Sequence, residues 1–157
     1  MIQRIQSIYL VLASAAMFLS FLFTIVVFEG MGNLNYQLGA FDFSRSDGEI
    51  FAIESNTLFI LFTSLAGGVF IANVLMFRNL KLQRQIGRLL YLIVFGSIGS
   101  MFFMVINNMS PEESTQLTVD LFHIGFYLPF VALILNFMAN KGMRRDQQLL
   151  NSLDRLR

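Results

Sequence analysis

From Ile8 to Phe28 the chain runs for 21 residues without a charged side chain, and nothing else in the sequence constrains the fold as strongly. At about 1.5 Å of rise per residue, a helix of that length covers the roughly 30 Å hydrocarbon core of a bilayer. Three similar runs follow: Ser55 to Phe77, Leu89 to Met109, and Leu121 to Asn140. A water-soluble helical protein would need a polar face on each segment, whereas Phe18 to Phe28 (FLSFLFTIVVF) is apolar all round. Only 13% of residues are charged, against about 25% in an ordinary soluble domain. The 55% hydrophobic content, with 18 Phe, excludes a disordered chain.

These runs predict an all-α integral membrane protein of one domain, a four-transmembrane-helix bundle with spans at about 6–28, 56–77, 88–109 and 117–140. The first run is longer than the apolar stretch of a secretory signal and has no suitable cleavage site at Val26-Val27-Phe28, so it reads as a retained anchor. Charges in the connections set the orientation, because Lys and Arg resist translocation. Arg4, then Arg78, Lys81, Arg84 and Arg88, then Lys141, Arg144, Arg145, Arg155 and Arg157 fall on one side. Glu29, Asp42, Asp47, Glu49, Glu54, Glu112, Glu113 and Asp120 fall on the other, with Arg45. Both termini are therefore expected in the cytoplasm. The near-neutral total of +1 is the cancellation of two opposed faces.

The connections carry patterns of their own. In the outer loop 29–55, Tyr36 to Phe43 and Glu49 to Ile53 flank Ser44-Arg45-Ser46-Asp47-Gly48, which predicts a small β-hairpin lying on the outer helix ends. Asp42, Ser44, Ser46, Gly48 and Glu54 approach a calcium loop but miss its register, since Gly48 is seventh and Glu54 thirteenth instead of sixth and twelfth. Ser110-Pro111-Glu112-Glu113 forms a capping box that predicts the start of the last helix, and Gly142 is a candidate terminator. Beyond it, in the tail 141–157, Leu149, Leu150, Leu153 and Leu156 share a face, predicting a cytoplasmic amphipathic helix on the inner leaflet or on a partner.

Chemistry has few places to sit. With zero Cys and His123 as the single histidine, thiol chemistry and paired-imidazole metal sites are excluded, and no catalytic, cofactor or metal residues are assigned. The same lack of Cys excludes a quinone-linked disulfide oxidase, and the lack of an acid or base within the first three uncharged runs argues against a proton-coupled exporter. Asp120, His123 and Tyr127, spaced by three and four, are expected along one face of the last helix at its outer end, as a candidate polar cluster. Asn73 and Asn136 share a depth near the inner ends of their spans and are expected to hydrogen-bond across neighbouring helices. Ala13, Ala16, Ser20, Gly67, Gly68, Ala72, Gly96, Gly99 and Ser100 mark seams of close helix approach. The basic segments lack the interleaved aromatics of a nucleic-acid surface, so the expected partners are the lipid bilayer and another membrane protein or a second copy.

Three stretches, MIQRIQSIYLVLA, FRNLKLQ and YLPFVALILNFMANKGMRRDQQLLNSLDRLR, resemble a domain-of-unknown-function family of small four-span inner-membrane proteins from Bacteroidota. The resemblance implies a bacterial cytoplasmic membrane and brings no activity. The leading expectation is a non-enzymatic scaffold or accessory subunit of a membrane complex. The alternatives are a small oligomeric transporter or channel, and a membrane enzyme or sensor using Asp120 and His123.

Overall fold

The computed structural model describes residues 3–30, 34–45, 50–51, 57–76, 79–109 and 118–154. In chain order these form α1 (Gln3–Leu19), β1 (Val26–Gly30), β2 (Leu34–Leu38), β3 (Phe43–Arg45), β4 (Ile50–Phe51), α2 (Thr57–Leu75), α3 (Leu80–Met109), β5 (Thr118–Phe122) and α4 (Ile124–Asp154). The chain is mostly helical. Three of the four helices, α2, α3 and α4, are long and apolar enough to cross a membrane.

The long uncharged run from Ile8 to Phe28 divides in two, which corrects the expected first span. α1 ends at Leu19, where the backbone tightens from Ser20 N–H bonding Ala16 O (3.1 Å) to Phe21 N–H bonding Phe18 O (3.2 Å). Ser20 Oγ takes up another terminal carbonyl, donating to Met17 O at 2.6 Å. The β-branched series Thr24-Ile25-Val26-Val27 then favours extended backbone. The run stays apolar past the helix because Val26, Val27 and Phe28 are consecutively buried in an interior strand, which wants apolar side chains on both faces.

That strand organises a five-stranded antiparallel sheet of order β4-β3-β2-β1-β5. The expected hairpin is one part of it: β3 and β4 pair Phe43 with Phe51 and Ser44 with Ile50. The expected first strand, Tyr36 to Phe43, is broken at Gly39–Asp42, where Gly39 N–H bonds Asp42 O at 2.8 Å. Of the expected turn, Ser44 and Arg45 belong to β3, and residues 46–48 lie outside the described residues, as does residue 49 of the expected return strand. One face of the sheet rests on the helix ends, with Ile25, Val26, Phe28 and Leu38 in a cluster with Phe59 of α2, Met101 and Met104 of α3, and Phe126 of α4.

The last helix is also corrected at both ends. Thr118–Phe122, expected inside it, pairs as β5 with β1, so α4 begins only at Ile124. The capping box at Ser110–Glu113 lies outside the described residues. At the far end α4 runs through Gly142 to Asp154 as one helix of 31 residues. Gly142 does not cap it: a Cβ there would stand 3.0 Å from Gln6 Cγ, so the glycine lets α1 approach α4. α3 likewise absorbs the basic connection, starting at Leu80 with Asn79 Oδ1 accepting Leu82 N–H at 3.3 Å as an N-cap.

The helices pack as a ring in which α1 touches α2 and α4, and α3 touches α2 and α4, leaving α2 diagonal to α4. Leu10, Ala13, Met17, Phe70, Leu90, Val94, Ala132 and Ala139 fill the space between them. The outer surface is apolar too, with Leu61, Leu65, Leu92, Phe95, Ile134 and Phe137 exposed. Of the expected small-residue seams, Ala13, Ala16, Ser20 and Ser100 are buried, and Gly67 and Gly96 abut Phe18 and Phe62. Gly68, Ala72 and Gly99 face outward.

The junction of sheet and helices is tightest at Gly125, whose N–H bonds Thr24 O at 3.1 Å. A Cβ at Gly125 would fall 2.6 Å from Phe23 O and 2.7 Å from Thr24 O, both backbone atoms with no freedom to turn aside. Gly125→Ala is expected to destabilise the protein by about 1–3 kcal/mol, seen as a lower melting temperature in detergent. Gly68→Ala, where a Cβ meets nothing within 4 Å, should leave the melting temperature unchanged or slightly raised.

Candidate functional site

Polar side chains in these helices are few, and most clasp neighbouring helices together. Ser14 Oγ donates to Gly67 O (3.1 Å) between α1 and α2, and Thr63 and Ser97 share a 2.7 Å hydroxyl contact between α2 and α3. Near the end remote from the sheet, Gln83 Nε2 donates to Asn73 O (3.2 Å) between α3 and α2. Asn136 Nδ2 and Asn140 Nδ2 both donate to Gly87 O at 3.1 Å, joining α4 to α3. A Cβ at Gly87 would overlap the Asn140 amide and displace it from this clasp. Gln6 of α1 donates to the Asp146 carboxylate of α4, and Arg84 Nη1 donates to Gln147 Oε1 at 2.8 Å.

The expected Asn73–Asn136 hydrogen bond is not formed, and the ring explains why: Asn73 is on α2 and Asn136 on α4, which face each other diagonally. Asn136 bonds Gly87 and Asn140 instead. The Asn73 amide is fully buried with neither Oδ1 nor Nδ2 hydrogen-bonded.

The three residues expected as an outer cluster are divided between two elements. Asp120 lies in β5, not on a helix, at a bulge: Val27 pairs with Leu121 and Phe28 with Val119, so Asp120 is the extra residue. It is exposed on an edge strand, where a charge discourages pairing with other chains. His123 joins β5 to α4; its N–H bonds Ile25 O and its carbonyl accepts Phe126 N–H, both at 3.0 Å, while its side chain is exposed. Tyr127 is also exposed, its ring edge-on to Phe126 at 5.4 Å. The strand thus removes the single helical face on which the three were expected to align.

The opposite end concentrates charge. Arg84, Arg88 and Tyr91 of α3 face Asn140, Lys141 and Arg144 of α4 across a cleft of about 340 Å³, with Phe137 on its apolar wall. On the other side of α4 a second cleft, of about 580 Å³, shares Phe137, Lys141 and Arg144 and adds Tyr9 and Arg145. Sequence reasoning had counted these cations without grouping them. The signal was present as helical spacing: 84, 88, 91 on α3 and 137, 141, 144, 148 on α4 are steps of three and four. It was hidden by reading both segments as lying outside the spanning helices.

The chain matches the family model described as "Domain of unknown function (DUF4293)" over residues 2–156 and belongs to that family. No curated protein matches the chain.

The two asparagines should now behave oppositely. Asn136→Ala is expected to cost about 0.6–2 kcal/mol through loss of the clasp on Gly87. Asn73→Ala, which removes an unpartnered buried amide, should be neutral or stabilising. Thermal unfolding of both variants in the same detergent checks this, and equal losses would contradict the assigned partners.

Proposed function

We propose that the chain is a multi-pass protein of a bacterial cytoplasmic membrane, a four-helix bundle with both termini in the cytoplasm, and that it works by contact as a non-enzymatic scaffold or accessory subunit. The observation that carries this reading is the distribution of side chains. The space between the helices is filled with apolar groups, the outer helix surface is apolar, and the buried polar residues among those described are uncharged amides and hydroxyls.

An apolar exterior of this extent is costly in water and natural in lipid. α1, at 17 residues, reaches only about 25 Å. The extended backbone after it is tolerable beside a bilayer because Ile25 to Phe28 are buried in protein, while Leu22 and Phe23 turn apolar side chains outward. Lys81, Arg84, Arg88, Lys141, Arg144 and Arg145 at one end, with the sheet at the other, fit cytoplasmic placement of the basic end. A filled interior supports contact over conduction through the helices. The resemblance to inner-membrane proteins from Bacteroidota supports the bacterial part of the reading.

A partner helix has a seat on α2, where outward-facing Ser64 and Gly68 leave a shallow groove of about 400 Å³ lined also by Leu61, Leu65 and Val69. Gly68→Ile should leave the melting temperature within a few degrees of the parent, because the space above Gly68 is open. It should abolish co-purification of a stoichiometric partner, or self-association, in mild detergent. A parent protein that is strictly monomeric and partner-free would refute the contact role. Flux through liposomes containing the protein alone would favour the transporter alternative.

A further inference from the structure

We propose that the cleft between α3 and α4 at the basic end binds the phosphate headgroup of an anionic phospholipid. This rests on the membrane reading above and adds a ligand to it.

Arg84, Arg88, Lys141 and Arg144 line one cleft together with Tyr91 and Asn140, and among the described residues no carboxylate lines it. Its cations are not neutralised from within: Arg84 gives Nη1 to Gln147 Oε1, an uncharged acceptor. Asp146, the acid nearest in α4, receives Gln6 of α1 instead. Guanidinium and ammonium donors converging with a phenol and an amide suit the oxygens of a phosphate, which Arg binds through paired N–H donors.

Topology requires basic residues at a cytoplasmic end but does not require them to share a cleft. Lys81, one turn before Arg84 on α3, satisfies the same rule and lines neither cleft. Their convergence follows from the helical spacing of 84, 88 and 91 opposite 141 and 144.

The cleft also has an apolar wall. Phe137 is 59% exposed beside the cations, one turn beyond exposed Ile134. The cleft therefore sits where an apolar surface gives way to charge, at headgroup depth in a bilayer. Tyr91 on one side of α4 and Tyr9 on the other fit that level, where tyrosines anchor at the interface. A soluble phosphate needs only the cations, whereas a phospholipid uses the cations for its headgroup and the surface around Phe137 for an acyl chain.

The test is native mass spectrometry of the full chain in mild detergent with equal amounts of phosphatidylglycerol and phosphatidylcholine. The parent protein is expected to retain phosphatidylglycerol about 25-fold over phosphatidylcholine, at about fivefold for each of two cations engaged. Arg88→Gln with Arg144→Gln should abolish the preference, and Lys81→Gln, which removes the same unit charge outside the cleft, should keep it. Should the double variant fail to fold, each single variant is expected to lose most of the preference. Equal retention of the two lipids overturns the proposal, as does equal damage from Lys81→Gln, which would mean diffuse attraction. Glycerol phosphate binding as tightly as the lipid would also overturn it, assigning the cleft to a soluble phosphate. Recovery of the protein from cells in the soluble fraction would instead overturn the membrane reading; extraction by detergent without lipid preference would remove only the cleft's ligand.

Discussion

Cohesion between these helices depends on a small number of side chain to backbone hydrogen bonds made at points of close approach. In the bilayer proposed here, lipid tails compete with any apolar contact, so helices gain little from hiding Leu against Leu. What distinguishes protein from lipid is a polar partner and a backbone that can come near. Gly87 supplies both: it has no side chain in the way, and its carbonyl takes the amides of Asn136 and Asn140. Ser14 donating to Gly67 O repeats the device between α1 and α2, while Thr63 and Ser97 join α2 to α3 hydroxyl to hydroxyl. The apolar core between them is complementary filling that holds these contacts in register.

The same requirement governs the other end of the molecule. A helix that stops within an apolar run leaves carbonyls to satisfy, and the chain answers first with Ser20 and then by entering a sheet. β1 is paired on both sides, so its backbone is satisfied while Val26, Val27 and Phe28 remain buried. The junction is closed by α4, whose first residues give Gly125 N–H to Thr24 O, with His123 N–H bonding Ile25 O just ahead of it. Sheet and helices are therefore one structure joined through backbone, and at Gly125 there is no room for a side chain.

Several features were legible before the fold was known. The apolar segments that form α2, α3 and α4 are identifiable by length and lack of charge, and a hairpin near Ser44–Gly48 is legible, but not its register, since Ser44 and Arg45 belong to β3 and Phe43 pairs with Phe51. Other readings failed for identifiable reasons. Val26-Val27-Phe28 is apolar because a central strand is buried on both faces, a pattern indistinguishable by composition from the end of a spanning helix. Gly142 looked like a helix terminator because glycine commonly serves as one, yet here it admits Gln6. Asp120, His123 and Tyr127 would share a face only if all three were helical, and β5 takes Asp120 away. Asn73 and Asn136 match in depth, but depth does not say which helices are neighbours.

The sequence by itself determined the number of long apolar segments, the segregation of basic from acidic residues, and the poverty of buried chemistry, because each depends on residue type and position along one chain. Family membership belongs with these, since the match covers residues 2–156. Only the tertiary structure decided which helices touch, that β1 and β5 lie side by side across nearly ninety intervening residues, and that four cations from two helices surround a single cleft. Those facts are relations between segments remote in sequence. They are set by which carbonyl is within reach of which amide, and by where a glycine leaves room.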